Sequence, residues 1–396
     1  MAIITSQVKL TPLATGSLPS GTEGAIAYDS TTDELKQYGT AWAGIAAADV
    51  NSGGTMRTYQ HGGTGTTYQV HIFDNPGLSL FTLIGTKSCD VLMVGGGGSG
   101  GNGLGGGGAG GVIAWCTGKS IAAGTYSVYV GQGGSASWQT GMGNCGGVYG
   151  EASWIQGQAW AGTEGRVIAL GGGGGGGESL GMPLGAHQIG SSASNWTSEH
   201  WGNSGGGGPA HNAYQFKNAF NPVPSGWTVR QNGLGGSGGG ASSNHPGGGG
   251  ASGAGNGQTP GSGSAAGGNG ADGVNTGAGV VFATPRLFGE SGTHNGIGID
   301  SSYYWGGGGG GSSHTQSNGA GGGGAGGGGG GAAGSGSAGG GGGSARNTGA
   351  SGQSGIQHGQ GGRGGYATGG GGGAGCDGDG AGGPGGSGII IIRYPA

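Results

Sequence analysis

The chain has 396 residues, of which 124 are glycine, and its 12 basic and 16 acidic residues give a formal net charge of −4. The glycines occur in runs and only 12 prolines are present, which excludes a collagen triple helix because collagen needs glycine at every third position. The mild charge, without a basic stripe, excludes a nucleic-acid-binding protein.

Residues 1–50 differ in composition from the rest and predict a small N-terminal module. Strand-forming segments at Ala25–Tyr28 and Leu35–Tyr38 flank the turn-rich segment Asp29–Glu34, a pattern typical of a β-hairpin. A lone hairpin is marginally stable in water, so we expect this module to dock on a partner or on another copy of itself. The candidate docking residues are Ile26, Tyr28, Leu35, Tyr38 and Trp42.

Residues 51–170 predict a β-rich module, and residues 171–396 predict a glycine-rich body that ends in a closing strand. The candidate strands are short apolar or alternating segments: Tyr68–Phe73, Leu78–Ile84, Cys89–Val94, Thr125–Val130, Val167–Leu170 and Gly388–Tyr394. Several of them lead directly into glycine runs, and they lie at both ends of the glycine-rich region. This arrangement favours an ordered body over a disordered tail.

The glycine runs predict a lattice of extended threefold polyglycine-II helices. Such a helix has no internal hydrogen bonds, so its backbone groups must bond to neighbouring helices or to water. Ordering a glycine costs roughly 0.5–1 kcal/mol more than ordering an alanine, and each interhelix bond returns about 0.5–1.5 kcal/mol. We therefore expect isolated runs to stay unordered and many bundled runs to order.

Polar, aromatic segments separate the glycine runs. Aromatic side chains of this kind either anchor interfaces and stack on sugar rings or pack against the ends of the lattice, and the sequence leaves both interpretations open. The candidate receptor-contact residues are Trp196, His200, Trp201, Tyr214, Phe216, Phe220, Trp227, Tyr303, Tyr304 and Trp305.

Motifs for catalysis, cofactors and metals are missing or weak. The many GxGxxG matches are chance in a chain this rich in glycine, and no HExxH or paired CxxC motif occurs. The CDGDG segment that contains Asp377 and Asp379 is more typical of a tight turn than of a calcium repeat. We predict that the protein is not an enzyme and has neither a cofactor nor a metal site.

Two patterns resemble a known family. The order DVLMVGGGGSGG, AGTYSVYVGQGG, ALGGGGGGG, YYWGGGGGG and GGSGIIIIRYP is similar to that of glycine-rich bacteriophage proteins. It resembles, more distantly, the glycine-rich domain of the anaplastic lymphoma and leucocyte receptor kinases. The N-terminal pattern LPSGTEGAIAYDSTTDELKQYGTAW resembles modules at the start of phage virion proteins. The resemblance implies an all-β fold, with a jelly-roll-like or sandwich frame that encloses a polyglycine-II bundle.

The resemblance also implies a function. We expect a virion fibre or appendage protein, exposed on the particle surface and assembled in the host cytoplasm. Residues 1–50 would bind other virion proteins, and the aromatic segments would bind a host glycan or outer-membrane protein. A homotrimer fits this expectation, whereas contact with nucleic acid, a secretory signal peptide and membrane insertion are not expected. A head decoration protein without a receptor role and a cellular adhesin or self-assembling filament are the alternatives.

Overall fold

The computed structural model describes residues 51–60, 66–102, 106–136, 147–161, 165–176, 224–230, 304–313, 319–334, 336–344, 346–354, 358–376 and 380–396, and the backbone of five short strands outside these ranges. The strands are β1 (Pro12–Leu13), β2 (Ile26–Asp29), β3 (Glu34–Tyr38), β4 (Trp42–Ile45), β5 (Thr55–Gln60), β6 (Thr67–Phe73), β7 (Gly77–Leu83), β8 (Lys87–Val94), β9 (Ile113–Ile121), β10 (Gly124–Val130), β11 (Ser153–Gln156), β12 (Arg166–Ala169), β13 (Trp227–Arg230), β14 (Val274–Asn275), β15 (Tyr304–Trp305) and β16 (Ile389–Pro395). Within the described residues the helix is α1 (Gln158–Ala161).

The last strand lies in the middle of the largest sheet. This six-stranded sheet has the order β13-β9-β8-β16-β6-β5. In it β16 is antiparallel to both β6 and β8, so that Ile391 lies between Ile72 and Leu92. Strands β13 and β16 belong to the segment 171–396, and their sheet neighbours belong to the segment 51–170. The two segments therefore share one sheet.

A second sheet packs face to face with the first. It has four strands in the order β12-β11-β10-β7. Its inward side chains, such as Phe81 and Val128, form one hydrophobic cluster with Met93 and Ile390 of the larger sheet and with Trp160 of α1. The two sheets form a sandwich, and the all-β prediction is confirmed.

The opposite face of the six-stranded sheet is buried as well. Ile389 and Ile391 belong to a second cluster that includes Trp305 and Ala367, which come from the glycine-rich body. Strands that are covered on both faces need continuous apolar sequence rather than alternation. This explains why all four residues of the run Ile389–Ile392 are fully buried.

Glycine segments next to the sheets exchange backbone hydrogen bonds with several neighbours. Five consecutive N–H groups, from Gly97 to Gly101, donate to three neighbouring segments. Residues three positions apart donate to the same segment: Gly97 to Gly386 and Gly100 to Gly383, Gly98 to Ala109 and Gly101 to Gly106, with Ser99 between them to Val148. A threefold extended chain would direct its groups in this way. The segments themselves have no regular secondary-structure assignment, and the polyglycine-II helices stay a prediction.

Absent Cβ atoms allow this close packing. A Cβ on Gly97 would lie 2.2 Å from the carbonyl oxygen of Gly370, and one on Gly100 would lie 2.0 Å from that of Gly373. Only glycine fits at such positions, because the space of a side chain is occupied by a neighbouring backbone. The body is therefore held together largely by main-chain contacts.

Candidate functional site

Most of the predicted receptor-contact residues lie outside the described residues. These are Trp196, His200, Trp201, Tyr214, Phe216, Phe220 and Tyr303. The remaining three have defined positions, and two of those positions correct the sequence prediction.

Trp227 belongs to the core rather than to a receptor-binding surface. It begins β13 and pairs with Cys116 of β9. Its side chain is buried in the cluster between the sheets, and its indole Nε1 donates a hydrogen bond of 2.9 Å to the carbonyl of Trp160. The alternating sequence WTVR is typical of a strand, and this was the available signal for burial.

Trp305 is also buried. It contacts the second cluster beside Val94 and Ile113, and only 1% of it is exposed. The adjacent Tyr304 is half-buried and pairs with Asn275 across a two-stranded sheet. Trp305 therefore packs in the interior against β8 and β9, a position that does not suit a direct receptor contact.

The predicted docking residues lie in a sheet of their own. Strands β1 to β4 form a four-stranded sheet in chain order, with Leu35 opposite both Tyr28 and Ile45 and with Tyr38 opposite Trp42. The predicted hairpin between β2 and β3 is confirmed. The docking role of these residues stays a prediction.

An apolar row crosses the outer face of the sandwich's smaller sheet. We call this surface the outer face. Leu78 of β7 lies opposite Tyr129 of β10, which lies opposite Trp154 of β11, which in turn lies opposite Ile168 of β12. Leu78 is 65% exposed, and its neighbour on the same strand, Leu80, is 58% exposed. Branched aliphatic side chains with this exposure form a patch of the kind that marks interaction sites.

Polar groups fix the aromatic part of the outer face. The rings of Tyr129 and Trp154 are stacked with centroids 5.4 Å apart and an angle of 6°. The guanidinium of Arg166 lies 5.3 Å from the Trp154 centroid. The Tyr129 hydroxyl donates a hydrogen bond of 2.8 Å to the Glu151 carboxylate, and this bond, together with burial, raises the pKa of Tyr129. The row is therefore preorganised.

Residues 77–286 match a family model described as a glycine-rich domain, and this range is more than half of the chain. The chain belongs to this glycine-rich domain family. A comparison with curated proteins gave no match. The matched range includes β7 and β10 to β12, so the outer face is part of the family domain.

Two buried cysteines of this glycine-rich domain protein are poorly suited to act as nucleophiles. Burial raises the pKa values of Cys89 and Cys116 to about 12, so both stay protonated thiols at neutral pH. Among the described residues no group of three or more His, Cys, Asp or Glu side chains could hold a metal ion. In the same part of the chain no helix is long and apolar enough to cross a membrane.

A buried histidine connects the start of the sandwich to its core. The Nδ1 of His71 lies 2.8 Å from the carbonyl oxygen of Gly53, and its Nε2 lies 2.8 Å from the hydroxyl of Tyr394. Burial lowers the pKa of His71 more than the bond to Gly53 raises it. The neutral ring therefore donates from Nδ1 to the carbonyl of Gly53.

Proposed function

We propose that the protein is a non-enzymatic structural component of a bacteriophage virion, part of a fibre or appendage that attaches the particle to the host surface. Residues 1–50 would dock it to other virion proteins, and the aromatic segments would contact a host glycan or outer-membrane protein. It would be exposed on the assembled particle.

One observation supports this proposal above the others: the two long segments that contain candidate receptor-contact residues outside the described ranges begin and end on a packed body. Before residues 177–223, the carbonyl of Gly176 accepts a hydrogen bond of 2.9 Å from Gly106; after them, Trp227 is fixed in the core. Before residues 231–303, Arg230 pairs with Ile113; after them, Trp305 is buried. Binding segments are commonly displayed in this way by rigid scaffolds.

The N-terminal sheet supports separate parts for virion docking and for receptor binding. Strands β1 to β4 pair only among themselves in the described sheets, so residues 12–45 contain a sheet distinct from the sandwich. A separate sheet next to a glycine-rich body fits a protein that docks with one part and displays another. A homotrimer is the assembly that best suits a fibre.

The body suits exposure outside a cell. Its cohesion comes from backbone hydrogen bonds and close glycine contacts, which need few charged side chains. Only 12 lysines and arginines occur in the whole chain, so tryptic proteases have few cleavage sites. Both properties favour a long-lived surface structure.

Immunogold electron microscopy with antibody to residues 51–396 tests the proposal on purified phage particles. Label at a tail or fibre tip is the expected result. Label over the head would support a decoration protein instead, and particles without label would contradict a virion role.

Adsorption measurements then test the receptor role. The variant with Trp196→Ala and Trp201→Ala should reduce adsorption to host cells, while particle assembly is unchanged. Met56→Ser is the control, because Met56 is 38% exposed on β5 and lies outside the aromatic segments in the sequence. Equal adsorption of the two variants would contradict a contact through residues 178–223.

A further inference from the structure

We infer that the outer face binds the same face of a second copy of this chain. The inference is independent of the virion assignment. It depends on the apolar row of Leu78, Tyr129, Trp154 and Ile168, and on the charges that lie on either side of that row.

The geometry of Trp154 disfavours a sugar as the occupant. Tyr129 comes from β10 and Arg166 from β12, the strands on either side of β11. Tyr129 stacks on the Trp154 ring, and the guanidinium of Arg166 lies 5.3 Å from the ring centroid. A sugar stacks on an open aromatic face, and both contacts reduce the open ring surface of this indole. What protrudes beside the stack is aliphatic, in Leu78 and Leu80, and such side chains pack best against another protein surface.

The charges of the outer face are arranged for self-complementarity. Glu151 precedes β11, whereas Arg166 lies opposite Gln156 at the far end of that strand. The row crosses β11 at Trp154, so the backbone positions of Glu151 and Arg166 lie on opposite sides of it. A two-fold axis that runs along the row exchanges these sides. It would place Glu151 of one copy opposite Arg166 of the second copy, in the manner of an isologous interface.

The carboxylate can take part without losing its existing bonds. The hydroxyl of Tyr129 and the N–H of Gln132 both bond to the same oxygen, Oε2 of Glu151. The other oxygen, Oε1, can accept a bond from an incoming guanidinium. The net charge of only −4 gives weak repulsion between two copies, so apolar contact at the row can dominate.

Analytical ultracentrifugation of the full chain tests the inference. The wild-type protein should form a dimer or higher oligomer as concentration rises. The variant with Leu78→Ser and Leu80→Ser should raise the dissociation constant at this interface by about tenfold or more, since central apolar anchors carry most of the binding energy. Met56→Ser should leave association unchanged. A wild-type protein that is monomeric at every concentration would overturn the inference, and so would equal association of the two variants.

A charge exchange tests the two-fold arrangement itself. Arg166→Glu should weaken association, because it places two carboxylates opposite each other. Adding Glu151→Arg to it should restore association by reversing both charges. Thermal unfolding of each variant separates a weakened interface from a damaged fold. If the double variant folds like the wild type and associates no better than Arg166→Glu, the proposed packing is wrong.

Discussion

Gly373→Ala should strongly destabilise the glycine-rich body. A Cβ at Gly373 would lie 2.0 Å from the carbonyl oxygen of Gly330, whereas an ordinary contact begins at 3.4 Å. The neighbouring segment would have to move by roughly 1.4 Å, the difference between these distances. That carbonyl accepts a hydrogen bond of 2.8 Å from Gly362, which the movement would break. Overpacking costs about 1–3 kcal/mol and an unpaired buried backbone group about 1–3 kcal/mol more.

The free energy of unfolding should therefore fall by about 2–6 kcal/mol, measured by urea denaturation followed by circular dichroism. Gly340→Ala is the matched control, because a Cβ at Gly340 meets nothing within 4 Å and its φ lies outside the left-handed region. It should be neutral or stabilise the protein by up to about 1 kcal/mol, since alanine restricts the unfolded chain. If the two variants are equally stable, close backbone packing does not hold the body together.

Three further predictions concern the core. Trp227→Phe removes the donor to the buried carbonyl of Trp160 and should cost about 1–3 kcal/mol in urea denaturation. Because the pKa of His71 is lowered in the folded protein, the full contribution of His71 to stability is present above about pH 6.5 and is lost as the pH falls below that value. Urea unfolding midpoints measured between about pH 7.5 and pH 5 should show this loss of stability. The loss should be smaller in His71→Gln. Cys89 and Cys116 should resist iodoacetamide at about pH 8 until the protein is denatured, and rapid labelling of the native protein would contradict their burial.

Strands with strong local patterns could be predicted from the sequence. The apolar run that ends at Val94 and the isoleucine run near the C-terminus have lengths and residue types that favour a strand in any context. The structure places them in β8 and β16, close to the predicted bounds. Their adjacency could not be predicted, because it joins residues that are about 300 positions apart.

The burial of the aromatic residues was harder to predict. Trp227 and Trp305 are large aromatic residues near polar residues in the sequence. A tryptophan in a binding loop has the same local surroundings, so local sequence does not separate the two cases. Their burial depends on β9 and on the second cluster, which are distant in sequence. The outer face was missed for the same reason. Leu78 and Trp154 acquire a shared surface only when β10 lies between their strands.

The strands and the glycine segments form one continuous structure. Strand β8 ends at Val94, and its chain goes on into Gly95, whose N–H donates to Val112 just before β9. At this point the residue type changes from apolar to glycine. In a sheet each strand bonds to two neighbours, and side chains fill the space above and below. Without side chains a third backbone can occupy that space, as the contact between Gly97 and Gly370 indicates. The sandwich therefore fixes the positions from which the glycine segments start, and this offsets the entropy cost that isolated glycine runs could not overcome.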